Sequence, residues 1–284
     1  MIRAEFFRFS KFRVTAAYCA KVLFFCVLTL LLPFSVFSLT IDNPKIDIQL
    51  DKGKAYSGAI TVDNNSDKDV RIKVYAEDFI YVEPFDGSKE FLASGTSSFS
   101  LSSWLTVSET EFALKPYEHR IVNFVLQPQE NIERVHCGVI FFETAIGRTL
   151  NDKGEGIDIL GRVGSIIFIE PQNLQKKGEF NEITTDLKSF RGIFVNKGNT
   201  FLHVQGTYYI INSNEMVEDR GQINELYLLP QDKTKVIIKA PEKISEGKYT
   251  MVITFDLEGG EAAVKEIDFS VSPTGELSIL AVRD

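Results

Sequence analysis

The sequence predicts an all-β protein, two tandem immunoglobulin-like β-sandwich domains behind an N-terminal signal peptide. Three observations point there. Short runs of alternating apolar and polar residues recur after Leu39, broken by polar turns, with no helical period longer than a turn. The stretch "FALKPYEHRIVNFVLQPQENIERVHCGVIFF" (112–142) is echoed by "LYLLPQDKTKVIIKAPEKISEGKYTMVITF" (226–255). The N-terminus carries five basic residues, then the apolar run "VLFFCVLTLLLPF", then "SVFS".

That N-terminal pattern, with Val36 and Ser38 as small residues before Leu39, describes a secretory signal peptide over 1–38. The run from Val22 to Phe34 is short for a bilayer span of about 20 residues. Whether it is cleaved or kept as an anchor, the positive flank stays inside, so the remainder is expected in the periplasm or outside the cell. Removing the five bases and Glu5 leaves 26 basic and 38 acidic residues, a net charge of −12. No cluster of Lys and Arg suits a phosphate backbone, so nucleic acid is not an expected partner. Cys19 and Cys26 fall in the signal; Cys137 stands alone afterwards and no intramolecular disulfide is expected. No second apolar run is long enough to span a membrane.

The first domain is assigned to 39–171, with strands near 39–50, 56–64, 69–78, 103–107, 119–126, 136–146 and 157–170. The second is assigned to 176–272, with strands near 182–188, 190–196, 201–211, 224–229, 234–240, 248–256 and 262–271. Seven short strands per half is the count of an immunoglobulin-like sandwich. The polar segment from Pro171 to Gly178 separates the halves, and 273–284 is a C-terminal tail. Both copies open alike, with Val62-Asn64 and Val195-Asn196 each leading into a turn and a second alternating strand. Asn64 and Asn196 are 132 residues apart, Pro116 and Pro230 only 114, so the first copy carries about 18 extra residues. They fall around "FIYVEPFDGSKEFLASGTSSFS", a surface loop or added hairpin turning at Asp86-Gly87.

Little supports catalysis. His119, His136 and His203 each sit inside an alternating run and are expected on solvated strand faces; no HExxH, CxxC, GxSxG or phosphate loop occurs. No catalytic, cofactor-binding or metal residues are assigned. "DNNSDKD" (63–69) spaces Asp63, Asn65 and Asp67 like calcium ligands, but Lys68 and Val74 stand where an EF-hand needs Gly and Glu. Cys137 is in phase with Val139 and Phe141 and is expected buried and inert. Tyr249 is placed as a tyrosine-corner residue, and Trp104 as a filler of the first core.

With these elements in place, "ITVDNNSDKDVRIKV" and the spaced "F.L.P…V.F.L.P" pattern make the chain similar to the periplasmic pilus-assembly chaperones over nearly all of its exported length. The resemblance implies a non-enzymatic chaperone without a cofactor. In such proteins the last strand of the first domain offers alternating apolar residues to an incomplete pilin-like subunit. Here those residues are Ile157, Ile159 and Val163, after the loop "GRTLNDKGEG". The resemblance also implies two bases in the cleft between domains that hold the subunit's terminal carboxylate. Lys45 matches the first; the second position falls on Ile166, with Arg162 the nearest base. The alternative is a structural or adhesive cell-surface protein whose domains stack against another surface protein.

Overall fold

The first strand expected from the sequence, near 39–50, is two strands in two different sheets. β1 (Leu39–Ile41) pairs antiparallel with β3 (Tyr56–Asn64), whereas β2 (Lys45–Gln49) pairs parallel with β10 (Gly156–Glu170). Pro44, which has no amide hydrogen to give a ladder, sits at the crossing. The Thr61 amide donates to Asp42 Oδ1 (2.9 Å) and the Asp42 amide to the Thr61 carbonyl (3.2 Å), fixing the switch point. These features belong to a computed structural model that describes residues 39–129, 131–151, 153–186 and 188–284. The expected signal peptide, 1–38, and its cleavage site lie outside the described residues.

Among the described residues the strands form four sheets. In the first half, β1, β3, β8 (His119–Leu126) and β6 (Leu105–Val107) make one. The other runs β2, β10, β9 (His136–Leu150), β4 (Val70–Tyr81) and β5 (Lys89–Leu92), with β7 (Glu111–Leu114) also on β4. Each sheet has one apolar face: Ile60, Val62, Val122 and Phe124 are buried from the first, Ile72, Val74, Phe142 and Ile167 from the second.

The second half repeats the plan. β11 (Gly178–Thr185), β12 (Ser189–Asn196) and β15 (Lys233–Lys239) form one sheet. β14 (Val217–Leu228), β13 (Leu202–Asn212), β16 (Gly247–Asp256), β17 (Ala263–Val271) and β18 (Leu277–Arg283) form the other. Phe194 meets Phe255 at 4.7 Å and Phe190 meets Phe269 at 4.8 Å, joining the two layers. The architecture is two immunoglobulin-like sandwiches. β18 comes from the segment expected as a tail; it pairs along β17 with a bulge between Asp268 and Phe269.

The sequence echo has a structural counterpart. Asn64 donates through Nδ2 to the carbonyls of Lys68 and Lys115 and accepts the Ser66 amide at Oδ1. Asn196 donates to the carbonyls of Thr200 and Leu228 and accepts the Gly198 amide. In each sandwich one buried asparagine ties a turn to the strand that ends before the landmark proline. The loop 63–69, spaced like a calcium loop, is this turn. Tyr249 donates its hydroxyl to the Ser245 carbonyl (2.9 Å), closing the corner before β16 as expected.

The extra residues of the first half form an added hairpin. β4 runs on to Tyr81 and pairs with β5 through Tyr81↔Lys89, turning through Phe85 and Gly87, both at positive φ. This hairpin is not a free surface feature. The Phe85 carbonyl accepts the Tyr227 amide of β14 (2.8 Å), and Tyr81 stacks on Phe201 at 5.3 Å. The buried Asp78 carboxylate then folds the segment after β5 back, accepting the Ser97 amide and the Ser100 hydroxyl. Through Phe79, Tyr81, Phe85 and Phe168 the apolar core of the second half continues into the first.

Candidate functional site

β9 and β10 are each 15 residues long and pair along their whole length, so they outrun the sandwich that holds their roots. The root of β10 is inside: Ser165, Ile167 and Ile169 are buried on the core face. Its far end is not, and Ile157, Ile159 and Leu160 are exposed. Because side chains alternate, Ile157, Ile159 and Val163 share the face that Ile167 and Ile169 turn to the core. The sequence-assigned row is therefore an extension of the core stripe beyond the domain.

The expected loop 147–156 is mostly this ribbon. β9 continues to Leu150 and β10 begins at Gly156. The Asn151 side chain closes the turn, accepting the amides of Lys153 and Glu155 at Oδ1 and donating to Glu155 Oε2, with Gly154 at positive φ.

The edges of the ribbon are open. β2 pairs with β10 only over Ile166–Glu170, and Pro44 accepts the Ile166 amide. From Gly156 to Gly164 the outer edge of β10 pairs with no strand among the described residues. On the other side β4 leaves β9 at Glu143.

The two bases sit on the opposite face from Ile157, Ile159 and Val163. Lys45 pairs directly with Ile166 in the parallel ladder, so the position where the resemblance implies a second base adjoins Lys45 and holds isoleucine. Lys45 Nζ stands 5.4 Å from the Phe168 ring centre and 5.8 Å from that of Phe201, with Asp47 at 3.0 Å. Arg162 is four residues from Ile166 along β10, about 13 Å. Its guanidinium donates to Glu77 (3.0 Å) and Tyr75 (3.2 Å) and lies 4.0 Å from the Phe141 ring centre. Burial works against its charge, but Tyr75 and Glu77 outweigh that and hold its pKa above the usual value. Lys45 and Arg162 are thus not brought together as a pair, and Arg162 is committed to its own sheet.

Sequence reasoning missed the aromatic platform under Lys45, where Phe201 joins Phe168 and Tyr81 of one sheet to Tyr227 of another. It also placed His203 on a solvated face. His203 stacks on Tyr227 at 4.5 Å, with Nδ1 2.6 Å from Glu258 and Nε2 3.0 Å from Glu225. Burial opposes its protonation, but the two carboxylates prevail and raise its pKa. His136 packs on the buried Trp104 at 4.3 Å, and His119 is exposed. Cys137 is buried, and desolvation drives its thiol pKa up, the opposite of an activated nucleophile.

Among the described residues no cluster of His, Cys, Asp and Glu could hold a metal ion, and no helix is long and apolar enough to cross a membrane. No protein-family model matches the chain, and no curated protein matches it significantly. Solved structures do share its fold. The class 5 fimbriae chaperone CfaA superposes with a TM-score of 0.50 at 16% identity, covering 80% of this chain and 97% of that one. A chaperone–tip adhesin complex of CFA/I fimbriae biogenesis gives the same figures. The two-sandwich fold is that of fimbrial chaperones.

Proposed function

We propose that this protein is an exported, chaperone-like binder that holds an incomplete secreted subunit, pilin-like in build, by lending it β10 as an extra strand. The open outer edge of β10 from Gly156 to Gly164, with exposed Ile157 and Ile159 beside it, carries the reading. In strand addition the free main-chain groups supply affinity and alternate side chains supply specificity. A bare apolar edge invites aggregation, and proteins ordinarily blunt it with charge or proline. Here β10 keeps isoleucine at two positions of its protruding part.

Lys45 would receive the subunit's terminal carboxylate alone, steadied by the Phe168 and Phe201 rings rather than by a second base. Periplasmic or extracellular residence follows from the signal peptide that the sequence suggests. The likeness to fimbrial chaperones in fold makes a pilin-type subunit the first partner to test.

The experiment co-exports the chain with an incomplete pilin-type subunit from the same genome and measures co-purification. Wild-type chain should retain the subunit, and Ile159→Asp should release it while the melting temperature holds. Capture unchanged by Ile159→Asp would sink strand lending and favour a stacking surface component, which needs no open edge. Unfolding of the first sandwich by Ile159→Asp would also sink it, by making Ile159 core.

A further inference from the structure

We infer that Ile146, on the neighbouring strand, supplies the third of four apolar side chains that the ribbon presents, at the place where β10 itself has Gly161. This rests on the strand-lending reading and adds a specificity residue to it. On β10 the positions that share the presenting face are 157, 159, 161 and 163. Three are apolar, and the third is glycine, which would leave a gap in the row.

The ladder shows how the gap is filled. Ile159 pairs with Gly147, but the next residue, Leu160, pairs with Ala145. Ile146 is therefore an extra residue on β9, a bulge that pushes one side chain out of its own strand's register. It is pushed toward Gly161. A Cβ on Gly161 would lie 2.9 Å from Ile146 Cγ2 and 3.4 Å from its Cδ1. The isoleucine thus occupies the space that a side chain at 161 would take. It is not filling the domain core: Ile146 is 44% exposed, beside 48% for Ile157 and 44% for Ile159.

A bulge can simply blunt an edge, but blunting would be served by a charge or a proline at the displaced position. This bulge displaces an isoleucine onto the one face where an apolar side chain is missing. The arrangement fits a subunit whose groove has four apolar pockets, the third set toward β9 by up to about one strand spacing of 4.8 Å. A groove with its pockets in line would leave Ile146 against a wall.

The test uses the same incomplete pilin-type subunit as probe, with Ile159→Asp as the control for strand lending itself. Ile146→Asp should cut capture roughly tenfold or more, while Ile146→Val should stay within about threefold. Ile146→Gly should also weaken capture, and adding Gly161→Ile should recover most of the loss by returning the side chain to β10. If Ile159→Asp releases the subunit and Ile146→Asp does not, this inference falls and strand lending stands. If neither does, strand lending falls and takes the inference with it. If Ile146→Gly loses capture and Gly161→Ile fails to recover it at an unchanged melting temperature, the inference is overturned. Should Ile146→Asp disturb folding, the glycine pair of variants decides alone.

Discussion

Replacing each buried asparagine by alanine should produce unequal losses, larger in the second sandwich. Asn196→Ala strips two donors and an acceptor from a site where Thr200 and Leu228, whose carbonyls receive the donors, are themselves fully buried. Each buried polar group left unpaired costs about 1–3 kcal/mol, so a loss of about 3–5 kcal/mol is expected. Asn64 makes the same three bonds and also accepts the Ser66 hydroxyl, which keeps the Lys68 carbonyl as a second acceptor; its own acceptors are the carbonyls of Lys68 and Lys115, both exposed residues that water can reach. Asn64→Ala should therefore cost only about 1–2 kcal/mol. Urea denaturation resolves the difference. Far-UV circular dichroism follows both halves, and fluorescence of Trp104, the only tryptophan, follows the first. Equal losses, or a larger one at Asn64, would refute the argument that solvent access to the abandoned carbonyls sets the cost.

Three further outcomes are expected. Cys137→Ser should lower stability by about 1–3 kcal/mol if its hydroxyl finds no partner, and leave subunit capture intact; lost capture at unchanged melting temperature would give the thiol a direct role. Tyr81→Ala removes a ring packed on Phe79, Phe201 and Tyr227, costing about 3–5 kcal/mol, and should split one calorimetric transition into two as the halves uncouple. His203 has a folded pKa above its ordinary 6.5, so its contribution is full below 6.5 and fades as pH rises through the raised value. The stability gap between wild type and His203→Gln should thus be wider near about pH 5.5 than near about pH 9; a gap independent of pH would show that the carboxylates do not hold a charged ring.

Much of the fold was legible because both sandwiches bury one face of each strand. Val70, Ile72 and Val74 alternate with Arg71 and Lys73 in the sequence, and in the structure the first set is buried and the second exposed. The asparagine turns were legible as a repeat, though their hydrogen bonds to distant carbonyls were not. The outer end of β9, residues 147–150, carries no strand signal, because both faces of the ribbon meet solvent there and "GRTL" shows no alternation. β18 was missed similarly, since Leu280 at its bulge breaks the period. The aromatic platform under Lys45 is assembled from β4, β10, β14 and Phe201, four places that no local pattern connects. Ile146 was beyond reach for a plainer reason: its significance depends on a register shift that only the pairing reveals.

The pairing of the ribbon before any partner arrives bears on how fast and how tightly a partner can be held. At its root β9 is sandwiched between β4 and β10 through Val139–Phe142, where amides should exchange with solvent most slowly in the first half. A few residues further on, β9 has one neighbour, and beyond Asn151 the chain has already turned back. It is a cantilever, clamped at one end and already paired as a strand at the other. A disordered segment that becomes a strand on docking forfeits about 1–2 kcal/mol of backbone entropy per residue. Residues 156–164 are extended before any partner arrives, so most of that penalty has been met during folding. Association should then show the heat-capacity change of apolar burial alone, without the larger signature of coupled folding.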